Sequence, residues 1–266
     1  MSDFQLVDLS RNFPDGSVKQ SLFREIMQRP VEEILGIPDL NRIYSDAEKW
    51  SERGECETSF HPILKSMGVE YEVVHGSMET IPKTGPVIVV ANHPFGGVDG
   101  IILGDLLSRH REDSCLMGNF LLKHIPLITE QIIAVDPFGS ATSTHKNRQG
   151  LKDTLAWLKE GRCLGAFPAG IVAHLKWSTR RITEGDWHSS LARLAQKTQA
   201  TIVPVHFEGT NSKLFHALGL IHPRLRTAAL VREVSKKRGA KISLRIGSAI
   251  QPTTLAAYED LSLIHI

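Results

Sequence analysis

Long apolar runs are missing from this 266-residue sequence. None approaches the roughly 20 residues that a membrane-spanning helix needs, so any work on lipids is expected from the membrane surface. Cysteine is scarce. Cys56, Cys115 and Cys163 are odd in number and form no C-x-x-C, which excludes a disulfide framework and reads as reduced thiols in a cytosolic protein. Strong charge of one sign is lacking too. A net charge of +2 and an isoelectric point near 8.4 are too mild to argue for nucleic acid, so none is expected as a partner. The chain has neither G-x-x-x-x-G-K-[ST] nor any G-x-G, which removes the common phosphate loops of nucleotide binders. It has no G-x-S-x-G, so a serine hydrolase lacks its nucleophile elbow. Twelve histidines occur, but none in H-E-x-x-H or zinc-finger spacing, so no metal and no cofactor are expected. The start, MSDFQLVDLSRNFP, has no basic stretch leading into an apolar one, and no secretory signal is expected.

The sequence that remains is ordinary globular material, 41% hydrophobic and 23% charged, long enough to bury a large core. Residues 1–70 read as a helical leading segment. SVKQSLFREIMQ carries an apolar stripe, VEEILGI and DLNRIYSDAEKWSER read as two helices divided by Gly36 and Pro38, and SFHPILKSMG closes at Gly68. Over residues 71–260 strand and helix signals alternate, beginning with VEYEVVHG and the unbroken run PVIVVA. The pattern predicts an α/β fold with a mixed, largely parallel sheet flanked by helices. Ligands collect at the carboxyl edge of such sheets. The last six residues, LSLIHI, read as an artificial tail on a truncated chain.

The stretch VVANHPFGGVDG, residues 89–100, carries the chemistry. Pro94 keeps His93 extended at the strand tip. Gly96 and Gly97 permit a sharp turn, and Asp99 then arrives at a helix start, free to fold back onto the imidazole. A carboxylate on one ring nitrogen fixes the tautomer, and the other nitrogen can take a proton from a hydroxyl. The same residues admit a plainer reading, with Asp99 as a helix N-cap and His93 as a structural strand-end residue.

NHPFGGVDG resembles the Asn-His…Asp signature of the phospholipid/glycerol acyltransferase (lysophospholipid acyltransferase-like) superfamily. AFPAG resembles its Phe-Pro-Glu-Gly block and TIVPVHFEGTN its later Val-Pro-Val block. The segment from His222 to Ile250 resembles the hemolysin-like branch, which includes ornithine-lipid O-acyltransferases. The resemblance covers roughly residues 60–250. It implies His93 as general base and Asp99 as its orienting partner, with Asn92, Gly96, Gly97, Phe167, Pro168 and Gly170 around the substrates. It also implies an acyl thioester of acyl carrier protein or coenzyme A as donor and a lyso-lipid as acceptor. Peripheral association with the cytoplasmic face of the inner membrane goes with these. The chain departs from the superfamily pattern in three places. Five residues, not four, separate His93 from Asp99. Ala169 replaces the glutamate of Phe-Pro-Glu-Gly, and Pro137 falls about where an arginine is usual. In glycerol-phosphate acyltransferases those two residues help hold a phosphate-bearing acceptor, so a lyso-aminolipid such as lyso-ornithine lipid fits better. A non-catalytic lipid- or acyl-carrier-binding module on the same fold is the alternative.

Three further groups stand out. Lys146 and Arg148, beside a helix start, are candidates to hold an anion, against the plain reading of a solvated helix entry. Glu184, Asp186 and Trp187 follow the Pro-Ala-Gly loop and are candidates to shape the acceptor site, with Asp186 as an N-cap the competing role. Residues 224–241 carry a net charge of +6, which suits contact with anionic headgroups as well as an ordinary helix end. The leading SLFREIM is a second candidate for an interfacial dock.

Overall fold

The computed structural model describes residues 33, 36–135, 143–187 and 189–256. The leading SVKQSLFREIMQ with its SLFREIM, Pro137 and the LSLIHI tail lie outside the described residues, as does the side chain of Lys146.

The described chain begins with two helices, α1 (Ile37–Glu52) and α2 (His61–Met67). Gly36 is the N-cap of α1 and Pro38 sits in its first turn, where a proline's missing N–H costs nothing; of the VEEIL stretch before them only Glu33, which is helical, is among the described residues. Strand β1 (Glu70–His75) follows, then β2 (Val87–Ala91) and helix α3 (Gly97–His110). Next come β3 (Ser114–Asn119), two 3-10 turns, β4 (Ile132–Val135), α4 (Ser143–Lys159) and β5 (Cys163–Ala166). The NFLLKHI stretch is one of those 3-10 turns, Phe120–His124. A small hairpin, β6 (His174–Lys176) and β7 (Arg181–Thr183), precedes α5 (Ser190–Thr198) and β8 (Thr201–Phe207). Helices α6 (Lys213–Ile221) and α7 (Pro223–Lys236), strand β9 (Lys241–Ile246) and the short α8 (Pro252–Ala256) complete the described chain.

The seven-stranded sheet runs β1-β9-β8-β2-β5-β3-β4. Every pairing is parallel except β8 with β9. The expected mixed, largely parallel sheet is therefore present, but its hairpin and α6 were not anticipated. Strand β2 lies between β5 and β8, and all five of its residues are buried. Its unbroken apolar run reflects burial on both faces. Val87, Val89 and Ala91 belong to a core shared with α2 and α3, while Ile88 and Val90 belong to a second core with Leu158 of α4 and Leu191 and Leu194 of α5. Ile43 and Ala47 of α1 and Ile63, Leu64 and Met67 of α2 pack into the first core. Cys115 and Cys163 are buried free thiols, and burial pushes the pKa of both up, that of Cys163 to about 12.

Two electrostatic knots hold the layers. Arg111 bonds Asp113 through two nitrogens and donates to the carbonyls of Pro82, Gly85 and Gly161. Asp105, fully buried, accepts from Thr58, from the Tyr71 hydroxyl at 2.7 Å and from Arg109 Nε at 2.8 Å. Thr58 and Tyr71, from two separate segments, are thereby tied to α3.

Helix α3 also supplies a test of its own packing. A Cβ on Gly104 would lie 2.5 Å from the Phe60 ring, which is 1% exposed and cannot move aside, whereas a Cβ on Gly100 meets nothing within 4 Å. Gly104→Ala is expected to destabilise the protein by about 1–3 kcal/mol through overpacking. Gly100→Ala is expected to raise stability by about 0.4–1 kcal/mol. Urea unfolding of the two variants against wild type measures both signs.

Candidate active site

The site is assembled where β2 ends. Asn92 extends the strand by side chain: its Nδ2 donates to the Phe207 carbonyl at 3.0 Å, and the Phe207 N–H donates to its Oδ1 at 2.6 Å. An Asn amide offers this donor and acceptor side by side, so it stitches the ends of β2 and β8 together after the ladder stops. Two further bonds fix the backbone of His93. Its N–H donates to Glu184 Oε1 at 2.7 Å, and its carbonyl accepts from the Ala173 N–H at 2.8 Å.

The chain then turns through Pro94, Phe95 and Gly96. Gly96 has φ 94° and ψ −118°, a conformation open essentially to glycine alone. Helix α3 begins at Gly97, with Gly96 as its N-cap, so Asp99 is the third residue of the helix. It is not the N-cap, and the reason is the register: the glycine turn is complete two residues earlier. From its third-residue position the carboxylate points back over the loop. Oδ2 accepts the Phe95 N–H at 2.9 Å and lies 3.3 Å from His93 Nδ1. That approach is a contact at the outer edge of hydrogen bonding, and the atoms are not aligned as a formed bond. Asp99 is wholly buried, whereas the His93 side chain retains 18% exposure. Nδ1 is itself buried, so the exposure lies on the rest of the side chain. Oδ1 of Asp99 has no hydrogen-bond partner among the described residues.

Phe167, the first residue past β5, stacks against the imidazole with ring centroids 4.2 Å apart and planes tilted by 30°. Pro168 and Ala169 are buried, and Gly170 turns the chain outward at φ 64°. Glu184 binds twice: Oε1 takes the His93 N–H, and Oε2 takes the Trp187 indole N–H at 3.0 Å. Asp186 is exposed and does not cap α5, whose N-cap is Ser189.

Phe95 is the second anchor of the loop. Its carbonyl accepts from buried Asn211 at 3.4 Å, and its ring lies 4.2 Å beneath Lys237 Nζ. The ring also abuts Gly209, where a Cβ would come within 2.9 Å. Burial pulls the Lys237 ammonium below its usual range, opposed by the carboxylates of Glu233 and Asp99. Burial works to raise the Glu233 carboxyl, but hydrogen bonds from the Ser212 N–H, the Ser212 hydroxyl and Lys236 outweigh it and hold the group low.

The structure thus brings His93, Asp99, Asn92, Gly96, Gly97, Phe167 and Pro168 into one neighbourhood, with Gly170 at its rim. Arg148 stands apart. It is exposed on α4 and lines a groove of about 490 Å³ between α4 and α5, with Lys152, Arg193 and Lys197. None of the residues around His93 lines that groove. Asn211, Ala173 and Lys237 escaped the sequence reading. The first two act through long-range backbone bonds that leave no local pattern, and Lys237 was one cation among seven.

Similar proteins frame this geometry. The chain is 28% identical over 180 residues to a protein from Phocaeicola vulgatus named lyso-glycine lipid O-acyltransferase, covering 65% of this chain and 62% of that protein. A protein of the same name from Bacteroides thetaiotaomicron is 28% identical over 142 residues, covering 53% of this chain and 50% of that protein. The chain thus spans less than two thirds of the length of the curated relatives it matches. Among solved structures, the 1-acyl-sn-glycerophosphate acyltransferase PlsC from Thermotoga maritima superposes with a TM-score of 0.47 at 18% identity, over 91% of this chain and 80% of that one. The model of a family described as "Acyltransferase" matches residues 37–262, which takes in the β2 loop, the Phe167 turn and α7. The chain belongs to this acyltransferase family.

Proposed function

We propose that the protein transfers an acyl group from a thioester to a hydroxyl of a lyso-lipid, with His93 as general base. The observation that supports this most directly is the approach of a buried carboxylate to one imidazole nitrogen of a side chain that is itself partly exposed. Asp99 fixes Nδ1 as the protonated nitrogen, which leaves Nε2 as the acceptor. The acceptor hydroxyl gives its proton to Nε2 as its oxygen attacks the thioester carbonyl carbon. The carbonyl electron pair moves onto oxygen. When it returns, the carbon–sulfur bond breaks and the thiolate takes the proton from Nε2. An ester and a free thiol leave, and His93 is neutral again. The reading assigns no metal or cofactor, because the step balances without one. As the imidazole gains charge, the 3.3 Å contact to Asp99 becomes an ion pair, and such bonds tighten toward the transition state. The first amides of α3, from Gly97 on, have no acceptor within the helix, which suits them to the developing oxyanion.

The acceptor class follows from the relatives' names and from Ala169. A lyso-aminolipid is proposed, lyso-glycine lipid first and lyso-ornithine lipid second. Ala169 is buried and uncharged, so the position where the superfamily has a glutamate offers nothing to a phosphate-bearing acceptor. The donor is proposed as the thioester of acyl carrier protein or coenzyme A. The site of action is proposed as the inner face of the membrane, reached peripherally. Among the described residues no helix is long and apolar enough to cross a bilayer.

Purified protein given an acyl carrier protein thioester and lyso-glycine lipid is expected to form the diacylated product, read by mass spectrometry. His93→Ala is expected to lower turnover by at least about 100-fold with an unchanged melting temperature. Asp99→Asn keeps an acceptor for the Phe95 N–H but can present an amide to Nδ1, and a loss of about 10²–10⁴-fold is expected. Equal turnover by wild type and His93→Ala would remove the general base, and no turnover with any acceptor would favour the non-catalytic binder.

Among the described residues Glu184 accepts hydrogen bonds from the backbone N–H of His93 and from the Trp187 indole, which suits it to a positioning role. Glu184→Ala is expected to lower kcat about tenfold or more by loosening the imidazole, with little change in KM. Glu184→Gln, which retains an acceptor for the His93 N–H, is expected to recover most of the loss. A fall in melting temperature without that rescue would mark the role as structural only.

A further inference from the structure

Helix α6, KLFHALGLI, has one formal charge, Lys213 at its first position. Its inner face buries Phe215 and His216, and Leu218 packs with Phe215 against Val172 and Ala229. Its outer face is apolar. Ile221 is 73% exposed, and Leu214 and Leu220 are 45% and 41% exposed. A surface helix of a water-soluble domain normally turns a polar face outward, and a helix apolar all round is one covered by something. Its neighbours continue the pattern. Leu225 at the start of α7 is 44% exposed, and on the hairpin Ile182 is 43% and Trp177 73% exposed. These six, with Ile171, make seven of the ten exposed large apolar side chains among the described residues. The hairpin strand β6 packs on α6, so the apolar side chains share one region.

Charge around this region is of one sign. Residues 171–183 contain Lys176, Arg180 and Arg181 and no acid. Residues 213–228 contain Lys213, Arg224 and Arg226 and again no acid. The chain carries 29 Asp and Glu among 266 residues, so about three would be expected by chance in these 29 positions. Apolar side chains on segments that carry cations and no acid complement a bilayer bearing anionic headgroups, where apolar side chains enter the acyl boundary and Lys and Arg meet phosphates. The cations at the far end of α7 are less available for this. Lys236 pairs with Glu233 at 3.1 Å, Lys241 pairs with Glu72 at 2.6 Å, and Lys237 covers Phe95.

The same region adjoins the His93 loop. A Cβ on Gly96 would lie 3.1 Å from Leu230 and 3.4 Å from Val172, both part of the apolar floor under α6. Ala173, next in the chain, donates to the His93 carbonyl. We propose that the outer face of α6, the Trp177 hairpin tip and the start of α7 form the surface by which the protein seats on an anionic lipid bilayer, bringing His93 to the headgroup level. This deepens the acyltransferase reading and rests on it only for the purpose of the docking.

The test uses the full chain and vesicles of phosphatidylcholine with and without phosphatidylglycerol. Wild type is expected to sediment with the phosphatidylglycerol vesicles, less so as salt is raised. Trp177→Ser with Ile221→Ser is expected to weaken that binding about tenfold or more, while Trp177→Phe with Ile221→Leu retains it. Arg180→Glu with Arg181→Glu is expected to reduce binding to the level of phosphatidylcholine alone. Matching melting temperatures show that the variants fold. Transfer to an acceptor embedded in vesicles is expected to fall with the serine pair, while transfer to a short-chain monomeric acceptor is unchanged. Equal vesicle binding by wild type and the serine pair overturns the proposal, as does no binding by wild type. A wild-type dimer that the serine pair splits into monomers also overturns it, by naming a second copy as the occupant. If the surface binds vesicles but wild type acylates neither acceptor, the docking surface stands and the catalytic reading fails.

Discussion

A carboxylate with no solvent exposure must be compensated, and the loop around Asp99 is organised by that requirement. Desolvating a carboxylate costs several kcal/mol even after relaxation. Asp99 recovers part of this from the Phe95 N–H, part from the amino end of α3 where negative charge is favoured, and part from the His93 ring beside it. The first two hold it whether or not the histidine is charged. The third grows only when the imidazole takes a proton. Oδ1 is unpaired among the described residues.

That arrangement depends on where the two ends of the loop are fixed. Asn92 locks the strand end to β8, and Glu184 and Ala173 hold the His93 backbone from the other side. Phe95 is gripped by Asn211, by the close approach of Gly209 and by Lys237 above its ring. The carboxylates of Glu233 and Asp99 both act on the Lys237 ammonium, and Glu233 fastens the start of α6 to α7 through Ser212. The loop is thus restrained from the sheet, from the segment after the hairpin and from α7. The five residues between His93 and Asp99 include the Gly96 turn, at φ 94°.

How much of this the sequence disclosed depended on the range of the interactions. His93 and Asp99 lie six residues apart, and the proline, the glycine pair and the buried run before them are local signals. The strand identities were equally plain, because β2 is buried on both faces and reads as an unbroken apolar run. Glu184 was noticed but not its task, since its partner lies 91 positions earlier in the chain. Asp186 and Asp99 both looked like N-caps, and in each case the helix begins elsewhere. An acid near a helix start in sequence does not reveal which residue closes the turn. Arg148 looked like an anion site because it lies beside a helix start, but that helix follows β4, which is separated from β2 by two strands. Helix α6 was passed over for a related reason. Its apolar residues lie on both faces, so the sequence shows no amphipathic period from which to read a surface helix.

The lack of a polar outer face on α6 and the position of His93 have one structural cause in common. Val172, Phe215 and Ala229, with Leu218 and Leu230, form a small apolar cluster apart from the two cores of the main sheet. One side of this cluster supports the Gly96 turn, and the other carries α6 and the hairpin. A domain that handles only water-soluble substrates has no use for apolar side chains on the outward side of such a cluster, because each exposed one loses burial of about 25 cal/mol per Å². For a protein that meets a lipid, the same side chains are covered when the acceptor is within reach. On this reading the loop that aims the imidazole and the face that meets the bilayer share one packed floor. The depth at which the protein sits in the headgroup layer is then set by the same contacts that set the direction of the base.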